Sequence, residues 1–365
     1  MKKSLIALAV AGAMTAPMVA QADATLYGSF RMGLVGADGA DIDLRDESTR
    51  IGIKGDVDLG LENTKGLFQW EANVATTDNS GDMFKARLGL MGLTGDWGTA
   101  LVGRQYHPYY TMVNSHTNIF QGADADFGEA LALGNQWHKR TDNTLAYASP
   151  VMGGFQVVAG AVIAGDGDED NKNFDDDVDG YNIGAQFTGV EGLRVSASYG
   201  KVDADVATVR TWEYDKNTGA FGINVEDGGA YESEIWGLGA SYTIDALTLA
   251  AKYEEREDDF GNAMGAESID YEVWEVAAVY KLANTSLKAR YSNVETDLTT
   301  TFAGETNEQL DGDQWGIEVE QKLGNRGYAW VGYTDFDKDA ALAASDLSGK
   351  DVAEDLWMIG YRLDF

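Results

Sequence analysis

The last ten residues, Leu356 to Phe365, constrain the fold more than any other segment. Five apolar residues alternate there with four others: Trp357, Ile359, Tyr361, Leu363 and Phe365 against Met358, Gly360, Arg362 and Asp364. Side chains alternate across a β-strand, so the segment predicts a strand with one apolar face and one mostly polar face. Its length matches the ~9–11 residues that a tilted strand needs to cross a bilayer. On its own, the segment also suits the last strand of a soluble β-sandwich.

The same alternation recurs along most of the chain. It predicts sixteen strands, over residues 24–35, 48–60, 66–77, 83–95, 98–107, 140–149, 153–164, 179–189, 192–202, 231–243, 246–257, 270–283, 285–296, 312–324, 326–337 and 355–365. Bacterial outer-membrane barrels have an even number of antiparallel strands. The sequence therefore predicts an all-β protein, a 16-stranded antiparallel transmembrane β-barrel.

The polar faces carry full charges in the middle of several strands, for example Lys252 with Glu254 and Lys288 with Arg290. A charge turned toward lipid would cost about 2–4 kcal/mol at the bilayer midplane, so these side chains are expected to line a water-filled interior. Such an interior needs about 16 strands, because eight leave room only for side chains. In segment 83–95, the alternation places Leu88 on the lipid side and Arg87 on the inner side.

Composition excludes several classes of function. The net charge is −33, which makes nucleic acid a poor partner. The chain has no Cys, which excludes thiolate metal sites and thiol redox chemistry. It has 3 Pro residues, and this scarcity suits long hydrogen-bonded ladders.

The N-terminal residues predict export. Lys2 and Lys3 precede an apolar run at 4–13, and Ala20-Gln21-Ala22 forms a small-x-small cleavage site. We therefore expect residues 1–22 to be a secretory signal peptide and residues 23–365 to be a barrel in the outer membrane of a Gram-negative cell.

One connection differs from the others. Short turns alternate with long polar loops, but segment 107–139 joins two strands with about thirty residues that are richer in aromatic side chains. Unstructured loops beyond ~12–15 residues are uncommon and are often functional. This segment is expected to fold back into the barrel.

Several short motifs resemble those of the Gram-negative general porins, particularly the neisserial-type branch. They are Ala24-Thr25-Leu26-Tyr27-Gly28, Ser48-Thr49-Arg50-Ile51-Gly52-Ile53-Lys54-Gly55, Gly103-Arg104-Gln105, Arg140-Thr141-Asp142-Asn143, Tyr147-Ala148-Ser149-Pro150 and Gly360-Tyr361-Arg362-Leu363-Asp364-Phe365. Each motif is short, but their order and spacing extend the resemblance over the whole chain after the signal peptide.

The resemblance implies a homotrimer in the lipid bilayer of the outer membrane, with the third external loop folded inward as a constriction. On this sequence the loop is 107–139 and its acidic residues are Asp124, Asp126 and Glu129. The wall residues that match the family's arginines are Arg104 and Arg140, and inward parity adds Arg50, Lys54 and Arg87. Phe365 matches the signal that the outer-membrane assembly machinery reads.

The expected function is a channel for passive diffusion of ions and small hydrophilic solutes, with mild cation selectivity because acidic loops concentrate cations. We expect no enzymatic activity and no cofactor. His107, His116 and His138 lack the spacing of a metal motif such as H-E-x-x-H. The alternatives are a substrate-specific channel, an outer-membrane barrel enzyme, or an exported β-rich surface adhesin.

Overall fold

The structure is a computed structural model. It describes residues 22–37, 41–77, 83–122, 140–163, 178–205, 208–215, 220–227, 230–259, 266–300, 306–337 and 355–365. Residues 1–21 of the predicted signal peptide lie outside this range, so the cleavage site stays a prediction.

Nineteen strands follow one another along these residues. They are β1 (Ala22–Ala37), β2 (Asp43–Asp46), β3 (Arg50–Leu61), β4 (Thr64–Val74), β5 (Phe84–Gly95), β6 (Gly98–Tyr106), β7 (Arg140–Ala148), β8 (Phe155–Val162), β9 (Gly180–Phe187), β10 (Leu193–Asp205), β11 (Thr208–Asp215), β12 (Ala220–Asp227), β13 (Ala230–Ile244), β14 (Leu247–Asp259), β15 (Ala266–Leu282), β16 (Thr285–Thr300), β17 (Thr306–Leu323), β18 (Gly327–Phe336) and β19 (Asp355–Asp364). One short helix, α1 (Pro108–Met112), and a 3₁₀ turn at Asn114–His116 follow β6.

Sixteen of the strands form a closed antiparallel barrel, which confirms the predicted fold. Each pairs with the next along the chain, with β3 following β1 and β13 following β10. The pairing of β1 with β19, from Ser29↔Asp364 to Ala37↔Leu356, closes the ring. Beyond the register, Phe365 and Gly28 exchange two backbone hydrogen bonds of 3.1 and 3.2 Å.

Three strands were not predicted. β2 lies between predicted strands 24–35 and 48–60 and pairs with β1, beside β3. β11 and β12 form a separate hairpin between predicted strands 192–202 and 231–243. Strands β15 and β17 also begin earlier than predicted, at Ala266 and Thr306. These segments are rich in polar residues. The search for alternating apolar residues therefore does not identify them as strands.

Exposure is inverted relative to a soluble protein. Ile317 and Ile359 are 51% and 52% exposed, whereas Glu275 and Arg290 are 1% and 5% exposed. Soluble proteins almost never bury such charges unless they are paired. In a closed barrel, the exposed apolar face is the outer wall and the charged face lines the interior. Among the described residues, no helix has the length and apolar character of a membrane span.

The predicted facing of Leu88 is wrong. The register between β4 and β5 shifts between Glu71 and Ala72, which leaves Arg87 as an extra residue on β5. Such a β-bulge reverses the side-chain alternation beyond it. As a result Leu88 is 4% exposed, Met91 on the same strand is 64% exposed, and Arg87 is buried on the inner side.

Candidate functional site

Four arginines form a basic group on neighbouring strands of the inner wall: Arg31 on β1, Arg50 on β3, Arg87 on β5 and Arg362 on β19. The charges of Arg87 and Arg362 act on Arg50, and those of Arg50 and Arg362 act on Arg31. Like charges held this close repel, so the group creates a positive potential on this side of the barrel.

Glu71 on β4 organises part of the basic group. Its carboxylate accepts hydrogen bonds from Arg87 Nε at 2.6 Å and from the Tyr27 hydroxyl at 2.9 Å. Arg87 Nη1 also donates to Asn73 Oδ1 at 2.9 Å. Asp364 accepts from Arg362 Nε and Nη2 at 2.6 and 2.8 Å. These contacts hold the guanidinium groups in place and neutralise part of their charge.

Two other predicted basic residues, Arg140 and Lys54, each lie against a tyrosine ring. Arg140 begins β7, its guanidinium lies 5.8 Å from the centre of the Tyr106 ring, and the charge of Arg87 acts on it. Lys54 Nζ lies 5.2 Å from the centre of the Tyr27 ring. Tyr27 donates a hydrogen bond to Glu71, the partner of Arg87, and Tyr106 interacts electrostatically with Arg50. Both tyrosines therefore connect these basic residues to the group.

Arg104 forms an ion pair of its own, and its charge also acts on Arg140. Its Nη1 atom donates to Asp142 Oδ2 at 2.6 Å, and the Asp142 side chain is 64% exposed. The β6–β7 register shifts at this point, between Gly103 and Gln105, and Gly103 has a φ of +116°. Within the described ranges, Nε of Arg104 has no hydrogen-bond partner, and neither has Nε of Arg140.

A second charged group lies on β14–β17, and we call it the lysine–carboxylate clamp. It consists of Lys252, Glu254, Glu275, Lys288, Glu318 and Glu320. Lys252 Nζ lies 3.2 Å from Glu254 and 3.6 Å from Glu275. Burial of such charges is tolerated when each is paired and hydrogen-bonded, as it is here.

The clamp binds the beginning of segment 107–139. Tyr109 lies on α1 and is fully buried, and its hydroxyl donates to Glu254 at 3.2 Å. The Thr117 hydroxyl donates to Glu275, which also accepts from Ser292 at 3.1 Å. Both carboxylates therefore join the segment to a lysine of the wall.

The contact continues to the end of the described part of this segment. The backbone N–H of Gln121 donates to Glu318 at 2.9 Å, and its side-chain amide donates to Glu320 at 2.6 Å. Arg362 of the basic group lies 3.4 Å from the Gln121 side-chain oxygen. Gln121 therefore lies between the clamp and the basic group.

His116 anchors the middle of the segment. Its Nε2 and Nδ1 atoms lie 2.8 Å from the Ser196 hydroxyl and 3.1 Å from the Ser241 hydroxyl. Ser196 donates to the Met112 carbonyl, so its oxygen is left to accept from Nε2–H of a neutral imidazole. Burial, followed by the charge of Arg194, lowers the pKa of His116 from 6.5 to about 4.

The remaining predicted site residues can be placed only in part. Asp124, Asp126 and Glu129 lie outside the described residues. Phe365 follows β19, and its ring centre lies 5.7 Å from that of Phe30. Its role in assembly stays a prediction. Across the part of the chain that is described, no cluster of His, Cys, Asp or Glu could hold a metal ion.

Sequence reasoning missed Arg31, Arg362 and the clamp as a unit. Inward parity signalled each of these residues individually, since Glu254 and Glu318 alternate with apolar neighbours. It carried no information on which of them contact residues 107–122, because that depends on contacts far apart in the sequence.

A closed barrel of sixteen strands, apolar outside and charged inside, defines a transmembrane channel. A family model described as Gram-negative porin matches residues 7–341, and the chain belongs to this family. The protein is therefore an outer-membrane channel for passive diffusion rather than an enzyme.

Two curated relatives illustrate the similarity. The chain is 27% identical over 278 residues to the outer membrane porin protein OmpD of Salmonella typhimurium, covering 70% of each protein. It is 37% identical over 118 residues to the major outer membrane protein P.IB of Neisseria meningitidis serogroup B, covering 28% of this chain and 34% of that protein. The second match supports the neisserial-type resemblance, although it spans about a third of that relative.

Solved structures share the fold. The trimer form of OmpT from Vibrio cholerae matches with a TM-score of 0.68 at 18% identity, covering 94% of this chain and 99% of that one. The anion-selective porin from Comamonas acidovorans matches with a TM-score of 0.68 at 17% identity, covering 94% and 100%. Identities this low establish the barrel architecture and nothing about selectivity.

Proposed function

We propose that segment 107–139 folds into the barrel and narrows the passage for ions and small hydrophilic solutes. The observation that carries the proposal is the set of contacts made by residues 107–122. They begin at β8, where Pro108 packs over Gly160, and end at β19, where Gly122 contacts Met358. Between these ends lie the hydrogen bonds to Ser196, Glu254, Glu275 and Glu318.

The positions of the contacts support a path through the interior. From β8 to β19 the barrel takes nine steps between neighbouring strands in one direction and seven in the other. The hydrogen-bonding partners of the segment, Ser196 on β10, Glu254 on β14, Glu275 on β15 and Glu318 on β17, all lie on the nine-step side. These four side chains are buried and belong to the polar inner face, so the contacts favour a path along the inside of that wall.

The charges on either side of this path suggest how the narrow part acts. Arg50, Arg87 and Arg140, together with Lys54 and Arg104, form the basic side. Asp124, Asp126 and Glu129 are proposed to face them from the segment. Opposed charges across a narrow, low-dielectric passage order water and dipolar solutes, while charge and width set ion preference. Apolar solutes must displace this ordered water and are disfavoured.

The proposed selectivity is mildly cationic. The net charge of −33 should raise the local concentration of cations at the channel mouth. The basic group opposes this preference inside the passage, so the selectivity is expected to be weak. It is also expected to fall with ionic strength as the acidic loops become screened.

Two parts of the proposal concern assembly. The chain is proposed to form a homotrimer, as the trimer form of the structurally similar OmpT does. Phe365, which exchanges backbone hydrogen bonds with Gly28 at the barrel seam, is proposed to be read by the outer-membrane assembly machinery. Cross-linking in detergent tests the first part, and outer-membrane yield of a Phe365→Ala variant tests the second.

Planar-bilayer recording of detergent-purified protein tests the channel proposal. Stepwise insertions in multiples of three conductance units are expected for a trimer. A salt gradient should give a reversal potential that indicates weak cation preference. Anion preference would overturn the selectivity proposal. A constriction would be overturned if solutes as wide as the full barrel passed as readily as ions.

A further inference from the structure

Three glycines on the inner wall lie directly beneath residues 107–122. They are Gly237 and Gly239 on β13 and Gly316 on β17. A Cβ atom at Gly239 would lie 2.9 Å from His116 Nε2 and still closer to Cδ2. At Gly316 it would lie 2.9 Å from Phe120 Cε2, and at Gly237 it would lie 3.1 Å from Val113 Cγ1. Each missing side chain leaves space that the segment occupies.

We propose that Gly239 and Gly316 are positioning residues that set how far segment 107–122 projects from the wall, and thereby the width of the passage. The inference rests on the proposed function, because it requires the segment to lie in the passage. It adds that wall residues which contact no solute control the conductance.

Gly239 shows the effect most clearly. All of the nearest atoms to its Cβ position belong to His116, so a methyl group there would meet the segment and not a neighbouring strand. Carbon contacts are most favourable near 3.5–4.0 Å, so a methyl group would displace the imidazole by about 1 Å. The ring cannot simply rotate away without losing its hydrogen bonds to Ser196 and Ser241.

The clamp makes this spacing matter. Hydrogen bonds to Glu254, Glu275, Glu318 and Glu320 hold the segment on both sides of His116. Because the segment is held at several points, it cannot rotate as a whole away from the added methyl group. A local shift at His116 therefore displaces the backbone of the segment into the passage. An added methyl group at Gly239 is therefore expected to reduce the open cross-section.

Gly332 on β18 provides a matched control. It also faces the interior, close to Glu318, but a Cβ atom there would lie 3.4 Å from its nearest neighbour, the Ile317 carbonyl oxygen. That separation is an ordinary contact. Gly332→Ala adds the same methyl group to the same wall, and the three atoms nearest to it belong to Ile317 and Glu318 instead of the segment.

The test is a double-mutant cycle on single-channel conductance. Wild type, Gly239→Ala, His116→Ser and the double variant are purified, checked for heat-modifiable mobility on gels, and recorded in planar bilayers. Gly239→Ala should lower the conductance in the wild-type background. It should have no effect in the His116→Ser background, because the atoms that it displaces are gone. Gly332→Ala should match wild type.

A second cycle with Gly316→Ala and Phe120→Leu keeps the proposal testable if Gly239→Ala fails to fold. Equal conductance of wild type and both glycine variants would overturn the positioning role while leaving the channel proposal intact. The same decrease with and without the His116 ring would also overturn it. Free passage of barrel-wide solutes through the wild-type channel would instead remove the constriction on which the inference rests.

Discussion

Lys288 Nζ lies 2.7 Å from the carboxylate of Glu318, and the two side chains are 7% and 4% exposed. The same ammonium group lies 2.9 Å from Glu320. Glu318 accepts the backbone N–H of Gln121, so one lysine supports the carboxylate that holds the end of the described segment. Its loss would leave two acidic side chains close together without their shared cation.

Lys288→Met should therefore weaken both the barrel and the docking of the segment. Removing one partner of a buried ion pair typically costs about 3–5 kcal/mol. We expect a lower urea midpoint for loss of the folded gel band, and noisier single-channel currents as Gln121 loses its fixed acceptors.

The control for this variant is Lys281→Met. Lys281 lies on β15, on the other side of the β15–β16 turn from Lys288, and its side chain is exposed. It should retain the wild-type urea midpoint. A Lys288→Met channel with wild-type stability and quiet currents would show that the clamp contributes nothing to holding the segment.

Acidification should loosen the segment through His116. Its pKa is lowered from 6.5 to about 4, so the unfolded or undocked chain binds the proton more readily than the docked chain. The docked state is then favoured fully above the free pKa of 6.5 and loses stability as the pH falls toward about 4. Current fluctuations should increase through this pH window.

His116→Gln should reduce that pH response, because an amide keeps hydrogen-bonding capacity and does not titrate in this range. Arg194 disfavours the protonated ring, so Arg194→Gln should raise the pKa of docked His116 toward 6.5, which narrows the pH window from its acidic end and reduces the total loss of docking stability. His138→Gln serves as the control that removes a different histidine. An unchanged response in His116→Gln would assign the effect to other groups.

Arg140 and Arg104 should differ in their effect on ion selectivity. Arg104 is paired with Asp142 at 2.6 Å, so its charge is largely compensated locally. The guanidinium of Arg140 instead lies 5.8 Å from the centre of the Tyr106 ring, a neutral partner that does not cancel its charge. Arg140→Gln should raise cation preference in a salt gradient more than Arg104→Gln does. Equal reversal potentials for wild type and Arg140→Gln would remove that residue from the passage.

The barrel was predictable because the bilayer imposes the same alternation on every spanning strand. Leu247 and Leu249 against Lys252 and Glu254 show the pattern in a single strand. It fails at Leu88, where one extra residue reverses the faces, and sequence periodicity does not reveal where a bulge lies. Only the pairing of β4 with β5 identifies it.

The site was less predictable for a related reason. Parity places Glu318 on the inner face, but its contact with Gln121 joins residues that lie 197 positions apart. The contact depends on the closure of the barrel and on the path of the segment from β6. Gly239 gave no signal at all, because a glycine in a strand carries meaning only when the atoms facing it are known.

The outer wall gives a prediction that depends only on how deep a substituted residue lies in the membrane. Val319 and Leu323 lie on the same exposed face of β17, at 43% and 46% exposure, and Leu323 adjoins the turn that starts at Gly324. A lysine facing lipid costs about 2–4 kcal/mol at the midplane and about 0–1 near the interface. Val319→Lys should therefore lower the stability of the barrel in lipid vesicles much more than Leu323→Lys. Val319→Ala controls for the lost apolar contact. Urea titration in vesicles measures the difference, and equal midpoints for the two lysine variants would mean that this face of β17 does not contact hydrocarbon.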